Sequence, residues 1–242
     1  MTTRALPDLW STDTPSRLPA TWSLIAVLVG VHVVSGVAYA IVEDVSVVNA
    51  LLFDRGMWMR MEVGGQHRIP LRTGEYWRLV TSVLLHGDAL HLLINAASLY
   101  ALGRLLEPVL GAARWLGWFA MGGVIASFLG WQAGVVQSDG ASGGAFALLS
   151  AGVWLGVVHR DRWELEDRRL MGPVLAVFLM LNFIIGWLIP GIDALAHTFG
   201  LLAGLALAAV DPAKRASLPY TVTVAVCLAV CVYGWTLGLF GW

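Results

Sequence analysis

The sequence predicts an all-α fold, a polytopic bundle of helices that crosses a membrane several times. Hydrophobic residues make up 58% of the 242 positions and charged residues only 13%, whereas soluble domains carry about 25% charged residues. The mean hydropathy of +0.74 is correspondingly high. The apolar residues are grouped in long runs, and a helix needs about 20 such residues to span a bilayer.

Seven apolar runs predict seven membrane-spanning helices. They cover residues 21–42, 88–106, 114–135, 142–158, 171–190, 193–210 and 219–240. The first run follows a polar segment and lacks a small-residue cleavage site, so we expect a retained helix and not a signal peptide. No segment between the runs is long enough to form a separate soluble domain.

The distribution of basic residues predicts the orientation, because short cytoplasmic loops accumulate Lys and Arg. Alternate short loops contain Asp139 and Asp193 and no basic residue. We therefore expect the N-terminus in the cytoplasm, and Trp242 and the long 43–87 loop outside; this loop carries arginines, but long loops cross largely regardless of charge. The basic residues on the predicted cytoplasmic side are Arg4, Arg17, Arg104, Arg114, Arg160, Arg162, Arg168, Arg169, Lys214 and Arg215.

Two short motifs place chemically active side chains inside apolar runs. Ser142 lies between glycines at the outer end of the fourth run, and His197 lies four residues after Asp193 in the sixth. At 1.5 Å per residue, His197 is about 6 Å below the outer end of its helix, a depth similar to that of Ser142. Ionisable residues within spans are rare and are usually functional, so the pair suggests a nucleophile and its base.

Further polar and small residues support the same region. His91 and Asn95, spaced i and i+4, share one face of the second helix and reach a similar depth. Gly200 and Gly204 share a helix face with His197, and small residues at this spacing let helix backbones approach closely. We therefore expect the fourth and sixth helices to pack tightly.

Four motifs, in this order, resemble the rhomboid family of intramembrane serine proteases, over a stretch from Glu75 to about Gly204. The resemblance implies a six-helix catalytic core with the seventh helix as an added C-terminal span. The matching motifs are Tyr76-Trp77-Arg78, then His86 with His91-Leu92-Leu93-Ile94-Asn95, then Gly140-Ala141-Ser142-Gly143, then Ala196-His197-Thr198-Phe199-Gly200-Leu201-Leu202-Ala203-Gly204.

The resemblance also implies the roles of individual residues. Ser142 and His197 would form a catalytic dyad without the acid of a triad. His91, Asn95 and the Ser142 backbone N–H would stabilise the oxyanion. Phe146 would pack against the catalytic histidine, a position at which some members have tyrosine.

The expected organisation is a cytoplasmic segment 1–20, a catalytic core 21–210 that includes the outer loop 43–87, and a linker with an extra helix 211–242. The expected substrates are transmembrane segments of other proteins, cleaved near the outer face of a bacterial inner membrane. The expected partners are these substrates and the lipid bilayer. We expect no nucleic-acid partner, and the oligomeric state is left open. The formal net charge of −1 gives no reason to expect a nucleic-acid partner.

Other chemistries have weaker support in the sequence. It contains no His-Glu-x-x-His zinc motif, no pair of intramembrane aspartates and no phosphate-binding glycine loop, so we expect no cofactor or metal. Asp139 and Asp193 lie in predicted loops and Glu107 at the cytoplasmic end, so we expect no buried carboxylate that orients His197.

Three alternatives remain open at this point. The first is an inactive rhomboid-like scaffold, whose members usually lose the serine or the histidine, whereas this chain keeps both. The second is a small transporter, a class that usually shows repeats and interrupted helices; we find no convincing repeat. The third is a specialised rhomboid that trims C-terminal sorting anchors.

Overall fold

A computed structural model describes residues 18–163, 168–189, 191–210 and 218–240, and within these ranges nearly every segment is helical. The α-helices are α1 (Pro19–Val42), α2 (Val47–Leu52), α3 (Gly56–Glu62), α4 (Arg68–Arg72), α5 (Arg78–Thr81), α6 (Ala89–Leu110), α7 (Ala112–Gln132), α8 (Ser142–Val158), α9 (Leu175–Leu188), α10 (Ala194–Val210) and α11 (Leu218–Phe240). Two short strands, β1 (Gln66–His67) and β2 (Gln137–Ser138), complete the fold with 3₁₀ turns at Ser82–Leu84 and Arg160–Arg162 and a π-helical turn at Leu170–Val174 before α9.

The polytopic all-α fold is confirmed. Five helices among the described residues are long and apolar enough to cross a membrane, and α8 and α10 are shorter apolar helices at the positions of the fourth and sixth predicted runs. The exact number of seven spans stays a prediction, as does the position of Trp242, which lies outside the described residues.

Helix α8 lies at the centre of the bundle, where it packs against α10 and α7. The close approach depends on glycines. A Cβ atom built at Gly200 would overlap the carbonyl oxygen of Gly143, and one at Gly204 would overlap that of Ala147. The predicted tight packing of the fourth and sixth helices is therefore confirmed.

The end of the bundle opposite Ser142 is held by a buried carboxylate. Glu107 of α6 is 4% exposed, and it accepts hydrogen bonds from the backbone N–H groups of Ala20 and Thr21 and from the Thr21 hydroxyl, at 2.9, 2.9 and 2.5 Å. A carboxylate can be buried only when such donors replace water. These bonds fix the start of α1 against α6.

The 43–87 segment is folded and not an extended loop. It contains four short helices and β1, which pairs antiparallel with β2 through Gln66 opposite Ser138 and His67 opposite Gln137. Because β2 is followed closely by α8, this pairing ties the segment to the loop that precedes Ser142.

Candidate active site

Ser142 is the first residue of α8, and the chain immediately before it is tightly fixed. Gly140 has a φ of +124°, which only glycine adopts readily, and its N–H donates to the Ser82 carbonyl at 2.9 Å. The first N–H groups of a helix have no partner within the helix. Ser142 therefore lies at a helix start that can receive an anion.

His197 lies in the first turn of α10, because Asp193 caps that helix. The Asp193 carboxylate accepts from the Ala196 N–H at 2.9 Å, as is usual for an aspartate at a helix N-terminus. The His197 ring stacks on Phe146, with ring centroids 4.2 Å apart and planes 15° apart, so the predicted aromatic contact is confirmed. Its Nδ1 faces Gly186, where a Cβ atom would lie 2.7 Å away.

The structure brings the helices of Ser142 and His197 together, but it does not join the two side chains. Both residues are half-buried. Nδ1 of His197 is buried without a hydrogen-bond partner among the described residues. Ser142 Oγ likewise makes no hydrogen bond with another described residue. Catalytic hydrogen bonds are often long before substrate binds and tighten in the complex.

His91 and Asn95 lie on α6, which is capped by Asp88 through a 2.8 Å bond from the His91 N–H to the Asp88 carboxylate. The His91 ring faces the serine loop, because a Cβ atom at Gly140 would lie 2.8 Å from His91 Nε2. Asn95 is buried, and its side-chain amide donates to the His91 carbonyl at 3.0 Å. His91 is thus beside the serine loop, whereas the Asn95 amide is bonded to its own helix.

His86 also contacts the serine loop. Its Nε2 accepts from the Ala141 N–H at 3.5 Å, and its ring is 4.9 Å from that of His91. Burial, together with the neighbouring His91, lowers the pKa of His86 to about 3. His86 is therefore neutral at physiological pH and can act as an acceptor.

Asp139 is a buried carboxylate that the sequence analysis missed. Its side chain is 1% exposed and lies 3.8 Å from Arg60 Nε, and it accepts from the Gln66 N–H at 3.2 Å and from Gln137 Nε2 at 3.1 Å. Burial raises its pKa to about 6, against the attraction of Arg60. Asp139 is thus buried although it follows β2 in a loop, but its partners are in β1, β2 and α3 and do not include His197. That no buried carboxylate orients His197 stays a prediction.

A small polar cavity of about 10 Å³ lies beside Ser142, roughly the space of one water molecule. The Ser127 hydroxyl donates to the Gln66 side-chain carbonyl and lies 3.3 Å from the Ser82 hydroxyl. These contacts join residues far apart in the chain, so no local pattern could have indicated them. The polar or small residues on the cavity wall include Ser82, Ser127, Asp139, Gly140, Ser142 and Ala196.

Among the described residues, no group of three or more His, Cys, Asp or Glu side chains is arranged to hold a metal ion. Cys227 and Cys231 are free thiols on α11.

The chain is similar to several curated proteins. It is 29% identical over 146 residues to rhomboid protease GluP of Bacillus subtilis, covering 60% of this chain and 28% of that one. It is 35% identical over 149 residues to RHOMBOID-like protein 5 of Arabidopsis thaliana, covering 60% and 47%. It is also 33% identical over 140 residues to human inactive rhomboid protein 2, covering 55% and 15%. The chain thus spans less than half the length of each of these three relatives.

The family model for the rhomboid domain matches residues 73–214. This range covers more than half of the chain and contains Ser142, His197, His91 and Asn95. The helices that carry these four residues converge at one end of the bundle, and the family match extends over all of them. The chain belongs to the rhomboid family.

Proposed function

We propose that this chain is an intramembrane serine endopeptidase that cleaves transmembrane segments of other proteins near the outer face of the membrane. The observation that carries the proposal is the contact of α8 with α10, where Ser142 starts one helix and His197 stacks on Phe146 one turn further along. Relatives that are named proteases support it.

In the proposed mechanism, Ser142 is the nucleophile and His197 the general base. Serine is a weak nucleophile until an adjacent base accepts its proton, and neutral imidazole performs this role near pH 7. Serine Oγ attacks the scissile carbonyl carbon while its proton passes to His197. The imidazolium then protonates the leaving amine, and water attacks the acyl enzyme with His197 again as base.

The developing oxyanion requires donors that are already in place. The Ser142 backbone N–H at the start of α8 and the His91 ring beside Gly140 are suitable candidates. Asn95 would join them once its amide turns from the His91 carbonyl towards the substrate, a loss of one intrahelical bond. The polar cavity beside Ser142 has room for about one water molecule, and we place the hydrolytic water there.

The test is cleavage of a type I membrane protein by the purified chain in lipid vesicles. Wild type should yield a cleaved fragment, and Ser142→Ala and His197→Ala should yield none. His159→Ala, which changes a histidine at the opposite end of α8, should cleave at the wild-type rate. A substrate that binds wild type and Ser142→Ala equally and is cleaved by neither would support a non-cleaving scaffold; one relative is named inactive.

A further inference from the structure

The last helix, α11, is attached directly to the 43–87 segment. The indole Nε1 of Trp235 donates to the Val63 carbonyl at 3.0 Å, across 172 positions of sequence. Next to it, Gly234 lies against the Trp77 ring: a Cβ atom at Gly234 would overlap the ring and lie 2.9 Å from its Cγ. The contact thus combines a directed hydrogen bond with a close steric fit.

Trp235 completes a set of side-chain donors to the turn at residues 61–65. Gly64 at the centre of this turn has a φ of +103°, and its carbonyl accepts from the Thr81 hydroxyl at 2.6 Å. Arg78 donates to the carbonyls of Met61 and Gly65. Thr81 and Arg78 hold the turn from α5, and Trp235 holds it from α11.

The turn leads directly to the nucleophile loop. It continues into β1 at Gln66, which pairs with Ser138 of β2, and the Gln66 N–H donates to Asp139. Asp139 is three residues before Ser142. A short path of backbone and hydrogen bonds therefore connects Trp235 to the start of α8.

The other end of α11 is fixed to the core of the bundle. Tyr220 is 5% exposed, and its Cβ would lie 2.8 Å from a Cβ atom built at Gly117 of α7. Helix α11 also packs along α7 and α5. The position of Trp235 is therefore set by contacts near both ends of α11, at Tyr220 and at Gly234. An indole N–H in an apolar setting has a strong requirement for an acceptor.

We propose that Trp235 is a positioning residue for Ser142: α11 braces the 61–65 turn, and through β1 and β2 the turn holds the nucleophile loop in its reactive place. This inference rests on the proposed function, because the effect of Trp235 on the position of Ser142 is measured through kcat and the labelling rate of Ser142. Trp235 makes no hydrogen bond or ring contact with Ser142 or His197 among the described residues, and its effect passes through the Val63 carbonyl.

The test compares Trp235→Phe, which removes the N–H donor and keeps an aromatic ring, with Tyr233→Phe. Tyr233 is on the same helix and 61% exposed. Loss of one neutral hydrogen bond should lower kcat about fivefold, with KM unchanged, and the rate of Ser142 labelling by a fluorophosphonate should fall in the same proportion. Tyr233→Phe should match wild type in both.

A steric variant tests the same brace independently. Gly234→Ala forces the Trp77 ring to move and should lower kcat more than Trp235→Phe does. The matched control is Gly30→Ala in α1, where a Cβ atom would meet nothing within 4 Å, and its kcat should equal that of wild type. Assays are run well below the melting temperature of each variant, so that unfolding does not lower the rate. A variant with lower thermal stability but wild-type kcat and wild-type labelling of Ser142 would overturn the proposal.

Hydrogen exchange separates failure of the brace from failure of the proposed function. The amides of Gly64, Gly65 and Gln66 are hydrogen-bonded, so their exchange reports opening of the turn. Trp235→Phe should speed this exchange and Tyr233→Phe should not, whether or not the wild-type chain cleaves a substrate. Unchanged exchange in Trp235→Phe would overturn the brace, whereas a wild type that cleaves nothing while the exchange responds would overturn only the proposed function and its catalytic consequence.

Discussion

The contact between α8 and α10 allows a quantitative prediction, because a single methyl group should disrupt it. In Gly200→Ala the new Cβ would overlap the Gly143 carbonyl oxygen and lie 3.0 Å from the carbonyl carbon. Carbon atoms pack best at about 3.5–4.0 Å, so the two backbones must separate by roughly 0.5–1 Å. This displacement falls between the helix of Ser142 and the helix of His197.

The expected loss in rate follows from that displacement. A misplacement of about 1 Å between reacting groups costs about 10²-fold in rate, so we expect kcat to fall by about that factor. Overpacking costs about 1–3 kcal/mol, more than the roughly 1 kcal/mol by which alanine is favoured over glycine within a helix. The melting temperature should therefore fall as well.

The assay is steady-state cleavage of a transmembrane substrate in vesicles, combined with thermal unfolding of the purified variants. Gly30→Ala is the control, because its new methyl group has open space; its kcat should be unchanged and its melting temperature equal to or above that of wild type. Gly200→Ala with wild-type kcat and wild-type melting temperature would show that the close contact at Gly143 does not position the site.

Three further predictions concern the neighbouring groups. Removal of one oxyanion donor typically costs about 10²–10³-fold in kcat, so Asn95→Ala and His91→Ala should retain measurable activity, and full turnover of either variant would exclude that residue as a donor. Burial raises the pKa of Asp139 from 3.8 to about 6, so its contribution to stability is present below pH 4 and is lost as the pH rises through 6. The melting temperature of wild type relative to Asp139→Asn should therefore fall between pH 4 and pH 7, and a constant difference would contradict the raised pKa. A cysteine after Trp242, but not one beside Thr2, should react with an impermeant thiol reagent from outside in a background without native cysteines, and reaction of both from one side would contradict the predicted odd number of spans.

The helices and the close contact between two of them could be predicted from the sequence. Hydropathy and run length depend on local composition, and α8 and α10 begin within one residue of the predicted runs 142–158 and 193–210. The spacing of Gly200 and Gly204 on one helix face carries the packing information directly, because a glycine repeat has few structural explanations other than close helix approach.

The polar support of the site could not be predicted in the same way. Strands β1 and β2 have two residues each, too few for an alternating pattern. The burial of Asp139 depends on Arg60 and Gln66, more than 70 positions away in sequence. A carboxylate next to glycines in a polar loop has the same local signature whether it is solvated or buried.

The contact between α11 and the 43–87 segment could not be predicted from the sequence either. Trp235 near the end of an apolar helix is typical of an interfacial anchor, and only the fold brings its indole to the Val63 carbonyl. The contact places this end of α11 beside the 43–87 segment, which agrees with the prediction that both are on one side of the membrane. Which side faces the cytoplasm stays a prediction.

The central claim, that His197 activates Ser142, is tested most directly by covalent labelling with a fluorophosphonate followed by mass spectrometry of the modified peptide. A serine hydroxyl reacts with such a reagent only when a base accepts its proton, and this readout requires no natural substrate. We predict a single adduct on Ser142 in wild type and in His159→Ala, and none in His197→Ala. Equal labelling of Ser142 with and without His197, or no adduct on Ser142 in wild type, would contradict the proposed dyad.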